Sequence, residues 1–307
     1  TGTRAKLGTT FLNFDGENLT AGNDDARNNS TTIGQLAGAY PAWGENGSQR
    51  QAVVDAVMAD WAAYNMIITT SRPASGEYNM IMIGPKNHGF GNGVLGIAPV
   101  DCNDNNPYNI TYSFGGAGQW SATTFATTIG QEVAHGLGLE HVNQASDIMN
   151  PTNSGGNPAF LDTCYSVASS GGQIYCSSQH LQYCGSGQQN SHQELLGLYG
   201  PAVPDTQNPT GTITFPTDGQ TFPTGADFAL TVDASDDTGI AGIDLYNNGS
   251  FVSADTTEPY AWDIVDIPDG AYAFQVTIRD IGGNEVQSNL VNITVSNDGG
   301  TSTGGTT

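Results

Sequence analysis

The stretch from Gln131 to His141, reading QEVAHGLGLEH, constrains this chain more than any other part of it. On a helix, positions four apart share a face, so Gln131 and His135 fall on the same side. A metal ligand, a carboxylate one residue later and a second ligand four residues on make the H-E-x-x-H spacing. In it two side chains hold zinc and the Glu is the general base. The longer form continues x-x-G-x-x-H. The Gly lets the chain leave the helix sharply, and the last His swings back to complete the site. Glu132, His135, Gly138 and His141 occupy those positions, and Gln131 stands where the first His would. Gln131, His135 and His141 are therefore candidate ligands for zinc (Zn2+), with Glu132 the candidate catalytic base.

Length and charge bound the setting. A chain of 307 residues accommodates two separate cores. It has 7 Lys+Arg against 30 Asp+Glu, a net charge of −23, yet only 12% of its residues are charged. Its surface is therefore mainly Asn, Gln, Ser, Thr and Gly with scattered acids. Such a surface repels nucleic acid and anionic membranes. No apolar run is long enough to span a bilayer, and no apolar signal region opens the chain, so a mature or trimmed secreted form, monomeric, is expected. Cys102, Cys164, Cys176 and Cys184 are even in number and lack a C-x-x-C pair, which favours two disulfides over a zinc cluster. Three pairings are open.

Local patterns place the elements. Residues 9–14 read as a strand and run into a polar loop to Thr32. Its Asp15, Glu17, Asp24 and Asp25 could gather calcium (Ca2+), although a solvated acidic loop is the simpler reading. Residues 48–66 read as an amphipathic helix capped by Ser48, with Val53, Val54, Val57, Met58, Trp61 and Tyr64 turned to the core. Strands are expected at 65–70, 78–83, 94–100 and 109–114. Ser121 can cap the helix carrying the motif, with Phe125, Ile129, Val133 and Leu137 as its buried stripe. Residues 153–190 are Gly-, Ser- and Gln-rich, and two disulfides would keep them ordered. Residues 191–199 form a last short helix before a Pro-rich linker, 202–209. Beyond it the apolar period becomes two in several short strands separated by turns such as Asn248-Gly249, which predicts a β-sandwich over 210–296 with Trp262 in its core. The tail from Asn297 is expected to be disordered.

Several separated features in the first 201 residues, taken in order, resemble the metzincin metallopeptidases, in the style of the matrixins and other secreted bacterial branches. QEVAHGLGLEH resembles the family's zinc helix and turn. Met149, within DIMNP at 147–151, resembles the Met-turn. GVLGIA at 93–98 resembles the edge strand that pairs with substrate, and SHQELLGLYG resembles the closing helix. The resemblance implies an α+β domain, a twisted mixed sheet with the active-site helix against it. It implies an endopeptidase acting on polypeptides through a metal-activated water, with Glu132 as base, Met149 beneath the site and residues after Pro151 walling the substrate pocket. Val94, Leu95 and Gly96 would then be substrate-binding edge-strand residues. A second, structural zinc of the matrixin kind is not expected, since Ile97 stands where the companion of His88 would. Residues 210–296 resemble the immunoglobulin-like domains appended to secreted bacterial enzymes. There Asp233, Asp236 and Asp237 could hold calcium, a solvated loop being the simpler reading.

Gln131 leaves three readings. Its amide oxygen ligates zinc, as a weaker donor than imidazole. Or His135 and His141 share the metal with another group, a carboxylate or His88, His180 or His192. Or the metal is absent and the fold is an extracellular binding or adhesion module.

Overall fold

The computed structural model describes residues 6–44, 47–85, 89–91, 93–115, 121–168, 173–256 and 258–297. The chain divides into two compact units, Thr1–Val203 and Pro204–Thr307.

The first unit is built on a five-stranded sheet. Its strands are β1 (Gly8–Asn13), β5 (Met66–Thr69), β6 (Asn79–Gly84), β7 (Gly96–Ile97) and β8 (Ile110–Phe114), in the order β5-β1-β6-β8-β7. All pairings are parallel except that of β7, which runs antiparallel to β8 at the edge. Alternation in β6 shows why both faces need cover. Ile81 and Ile83 face one core, Met80 and Met82 the other, and all four are fully buried. Helices α1 (Gly47–Trp61) and α2 (Ala122–His135) cover the first face, with Val53, Val57, Trp61, Phe125, Ile129 and Val133 packed against Leu12 and Ile81. Each such side chain stabilises the fold by roughly 1.5–3 kcal/mol through burial alone.

The other face is covered by chain that reads as polar loop. Strands β2 (Glu17–Ala21), β3 (Ser30–Thr31) and β4 (Gly38–Tyr40) form a small sheet. Leu19, Ala26, Leu36 and Tyr40 pack under it against Met80, Met82 and Tyr112. These apolar residues are isolated among Asn, Asp and Gly, so no periodicity announces them. The carboxylates of this stretch do not gather into a calcium site. Asp15 pairs with Arg50, Glu17 with Arg72 and Asp25 with Arg27, while Asp24 accepts the Thr32 N–H.

Other boundaries also shift. Ser48 lies inside α1 rather than capping it, and that helix stops at Trp61. The strand expected over 94–100 shrinks to the two residues of β7: the Val94 N–H is turned onto the Gly91 carbonyl, and Pro99 lacks an N–H to extend the ladder. The disulfides are Cys102–Cys176 and Cys164–Cys184. They order a stretch that also holds β9 (Tyr165–Ser166), α3 (Ser177–His180), β10 (Gln188–Gln189) and α4 (Ser191–Tyr199).

The second unit is a sandwich. One sheet pairs β11 (Thr210–Phe215), β13 (Ala226–Ser235) and β16 (Ala261–Ile267). The other runs β12 (Gln220–Phe222), β19 (Val291–Val295), β17 (Gly270–Asp280), β14 (Ile240–Asn247) and β15 (Ser250–Asp255), with β18 (Glu285–Gln287) on β17. Leu230, Val232, Ile243, Leu245, Trp262, Phe274, Val276 and Ile278 fill the space between them, the inward set of each alternating strand. Of the tail from Asn297, expected to be disordered, residues 298–307 lie outside the described residues.

Candidate metal centre and cleft

Local sequence sets the geometry of α2. The Ser121 side chain accepts the Thr124 N–H at 3.2 Å and caps the N-terminus. At the other end Gly138 takes φ of 92°, and a Cβ there would overlap the Gln179 side chain, so the chain turns sharply and returns. His135 closes the helix and its Nδ1 donates to the Leu139 carbonyl at 2.7 Å. That bond fixes the tautomer and leaves Nε2 facing His141 Nε2, 3.1 Å away. The backbone of His141 is itself held, its carbonyl accepting the Ala168 N–H at 2.7 Å.

Two imidazole nitrogens bound to one tetrahedral zinc at ordinary bond lengths stand about 3.3 Å apart. The observed separation and the orienting bond on the far nitrogen of His135 fit that group. Burial, joined by the neighbouring His141, pulls the His135 pKa down to about 4, and burial lowers that of His141 as well. Both rings are thus neutral at physiological pH, the form a metal needs.

Gln131 lines the same cavity. Its amide N–H groups donate to the carbonyls of Ile148 at 2.9 Å and Asn150 at 2.6 Å. With both hydrogens used, the carbonyl oxygen is the atom of that side chain left to act as a donor to a metal. The turn it grips is rigid. Asp147, buried, accepts the N–H groups of Met149 and Leu161 and the Ser191 hydroxyl, and the Met149 carbonyl accepts the Val142 N–H. Met149 is fully buried in the core beside Val142 and Ala134.

Glu132 lies on the cleft side of α2, and burial alone pushes its pKa up to about 8. The strand above it is shaped for it: a Cβ on Gly96 would overlap the Glu132 side chain. Of the expected edge-strand residues, Gly96 lies in β7. Leu95 contributes a carbonyl to the Phe114 N–H at 2.7 Å. Val94 sits in the preceding turn, its N–H on Gly91. All three line the cavity. Its volume of about 760 Å³ is ordinary for a ligand site. Thr128, Pro151, Thr152 and Asn153 form one wall, Gln173 and Tyr175 another.

Of the other histidines named in the sequence, His180 and His192 do not reach this centre. His180 is buried between Glu140 and Glu194, with Nε2 to Glu140 at 3.1 Å and Nδ1 to Glu194 at 2.9 Å. His192 Nδ1 meets the Tyr64 hydroxyl at 2.9 Å. His88 lies outside the described residues. Sequence reasoning treated His180 as a spare ligand and missed its role as a clamp. Glu140 is the missed partner: it precedes His141, and its Oε2 also accepts the N–H groups of Tyr175 and Cys176. Its place inside the motif was the available signal. Nothing local marked Tyr175, which is brought to the cleft by a disulfide. In the second unit, Asp205, Asp236 and Asp280 bring carboxylate oxygens within 4.8 Å of one another, so Asp236 of the expected calcium group takes part while Asp233 and Asp237 do not.

Residues 209–276 match the family model described as a bacterial Ig domain, which makes the C-terminal sandwich immunoglobulin-like. No curated protein sequence matches the chain. Among solved structures, the fibronectin(III)-like modules of Clostridium thermocellum CbhA are 26% identical with a TM-score of 0.28, covering 29% of this chain and 97% of theirs. Bacteroides ovatus SGBP-B, in complex with a mixed-linkage heptasaccharide, is 11% identical with a TM-score of 0.24, covering 30% of this chain and 24% of its own.

Proposed function

We propose that residues 1–201 are a metzincin-type zinc endopeptidase domain, joined through a 202–209 linker to the immunoglobulin-like sandwich of 210–296 in a secreted, monomeric bacterial protein. The observation that carries this reading is the pair of neutral imidazole nitrogens 3.1 Å apart at the floor of a cleft, with Glu132 beside them and an edge strand above. Gln131, through its amide oxygen, His135 and His141 would hold the zinc. The bound ion would lower the pKa of a coordinated water and polarise the scissile carbonyl. Glu132, in its ionised form, would accept the proton of that water. Burial raises the pKa of Glu132, which favours its holding an accepted proton until the leaving amine takes it. Strand β7 has β8 on one side, so an extended peptide can add along its other edge. The two disulfides suit an extracellular setting, and no helix among the described residues is long and apolar enough to cross a membrane.

A metal-free binding or adhesion module is the second reading. Its support is that both amide hydrogens of Gln131 are taken by the turn carbonyls, which gives the side chain a structural role of its own. Zinc per chain, measured on protein purified without chelator, separates the two. Near one equivalent, with peptide hydrolysis that disappears in Glu132→Ala, supports the peptidase. Near zero, with none regained from added zinc, leaves the binding module.

A further inference from the structure

Two apolar side chains stand exposed at the mouth of the cleft although nothing in the packing of the fold requires them there. Val100 is 38% exposed and Tyr175 62%, and both line the cavity that holds Gln131, His135 and His141. Single exposed apolar residues are common on any protein surface. These two come from segments 75 positions apart, and the Cys102–Cys176 disulfide joins those segments directly, with Cα atoms 5.3 Å apart. Each segment is also pinned to the motif. The Asp101 N–H, next to Val100, donates to the His135 carbonyl at 3.2 Å. The Tyr175 N–H donates to Glu140 Oε2 at 2.9 Å. Asn103 N–H, on the other side of Cys102, reaches Gln179 Oε1 at 2.7 Å. Two exposed apolar groups are therefore held rigidly at one end of the site, by bonds to the residues that carry or adjoin the candidate ligands. A preorganised apolar surface of this kind binds without a large ordering cost.

We propose that Val100 and Tyr175 form an apolar subsite of the cleft that takes a large aliphatic or aromatic side chain of an extended polypeptide, and so set the substrate class of the proposed peptidase. The occupant is a substrate side chain rather than a second protein surface, because the two residues line the same cavity as the edge strand along which a peptide would run. The inference rests on the cleft assigned above, but a binding measurement tests it apart from catalysis.

The probe is a set of labelled heptapeptides carrying Phe or Ser at each position in turn. Hydrolysis is read on the wild type, and affinity by fluorescence anisotropy on Glu132→Ala. At one position Phe should be favoured over Ser by about tenfold or more. Tyr175→Ser should bring that preference to within about twofold, Val100→Thr should weaken it, and Tyr175→Phe should keep it. Unchanged melting temperatures, expected for residues this exposed, exclude misfolding. A preference untouched by Tyr175→Ser overturns the subsite, as does the absence of any preference. Loss in Tyr175→Phe also overturns it, since the hydroxyl rather than the ring would then be at work. Preferential binding without hydrolysis keeps the subsite and removes the peptidase reading. Hydrolysis with a Tyr175-independent preference does the reverse.

Discussion

Gln131 uses both amide hydrogens on the carbonyls of Ile148 and Asn150, and a histidine at that position could satisfy only one of them. Gln131→His should therefore have two opposite effects. Chelator competition should show tighter zinc binding, because imidazole is the better ligand. Without metal the variant should lose about 1 kcal/mol of stability, seen as a lower melting temperature in chelator. Equal affinity, or no metal-free loss, would count against the double role of that amide. Glu132→Gln tests its neighbour. Hydrolysis should fall by roughly 100- to 10,000-fold. Metal-free stability at pH 9 should not fall, since burial disfavours the charged carboxylate that is removed. That Glu132, His135 and His141 line one cleft was legible because it follows from spacing along one helix and one turn. The tether of Gln131 was not, because its acceptors are backbone carbonyls, and a sequence shows nothing of where a carbonyl points.

Among the elements, the Glu140–His180–Glu194 cluster joins the turn carrying His141 to helices α3 and α4. Burial lowers the pKa of His180, but the bonds to Glu140 and Glu194 outweigh it and hold the ring up at about 9. The folded value exceeds the unfolded one of about 6.5. The stability this gives is complete below that pH and is lost as pH rises through about 9. Glu140 behaves oppositely. Burial raises its pKa, but hydrogen bonds from His180 and the two backbone N–H groups hold it lower, so its contribution is lost in acid. Urea midpoints should accordingly fall between pH 6.5 and 9.5 in the wild type and change much less in His180→Gln. His180→Ala, which strands two buried carboxylates, should cost roughly 3–5 kcal/mol at neutral pH. The helices and strands of the core were legible wherever apolar residues kept a period, as in α2 and the inward positions of β17. The small sheet from Glu17 to Tyr40 was hidden, because long-range packing on Leu19 and Leu36 outweighs a local composition of turn formers.

For the molecule as a whole, all four cysteines fall in the first unit and none in residues 204–307. The disulfides span 74 and 20 positions, and closing loops of that length is worth about 3–4.5 kcal/mol each in the chain-entropy model. Reductant should therefore lower one thermal transition and leave a second, that of the sandwich, where it was. A single transition moving as one would refute the independence of the two units. The order of the chain adds a consequence for synthesis. The motif helix is translated first, while Tyr175, Cys176, His180, Gln189 and Glu194, which wall the cleft or clamp Glu140, all come later. A nascent chain that has just displayed both imidazoles has the Leu139 carbonyl that orients His135 but still lacks the groups that clamp Glu140, beside His141. On the peptidase reading, the finished cleft, with its Tyr175 wall and the Glu140–His180–Glu194 clamp beside His141, can be assembled only once helix α4 has emerged and folded back.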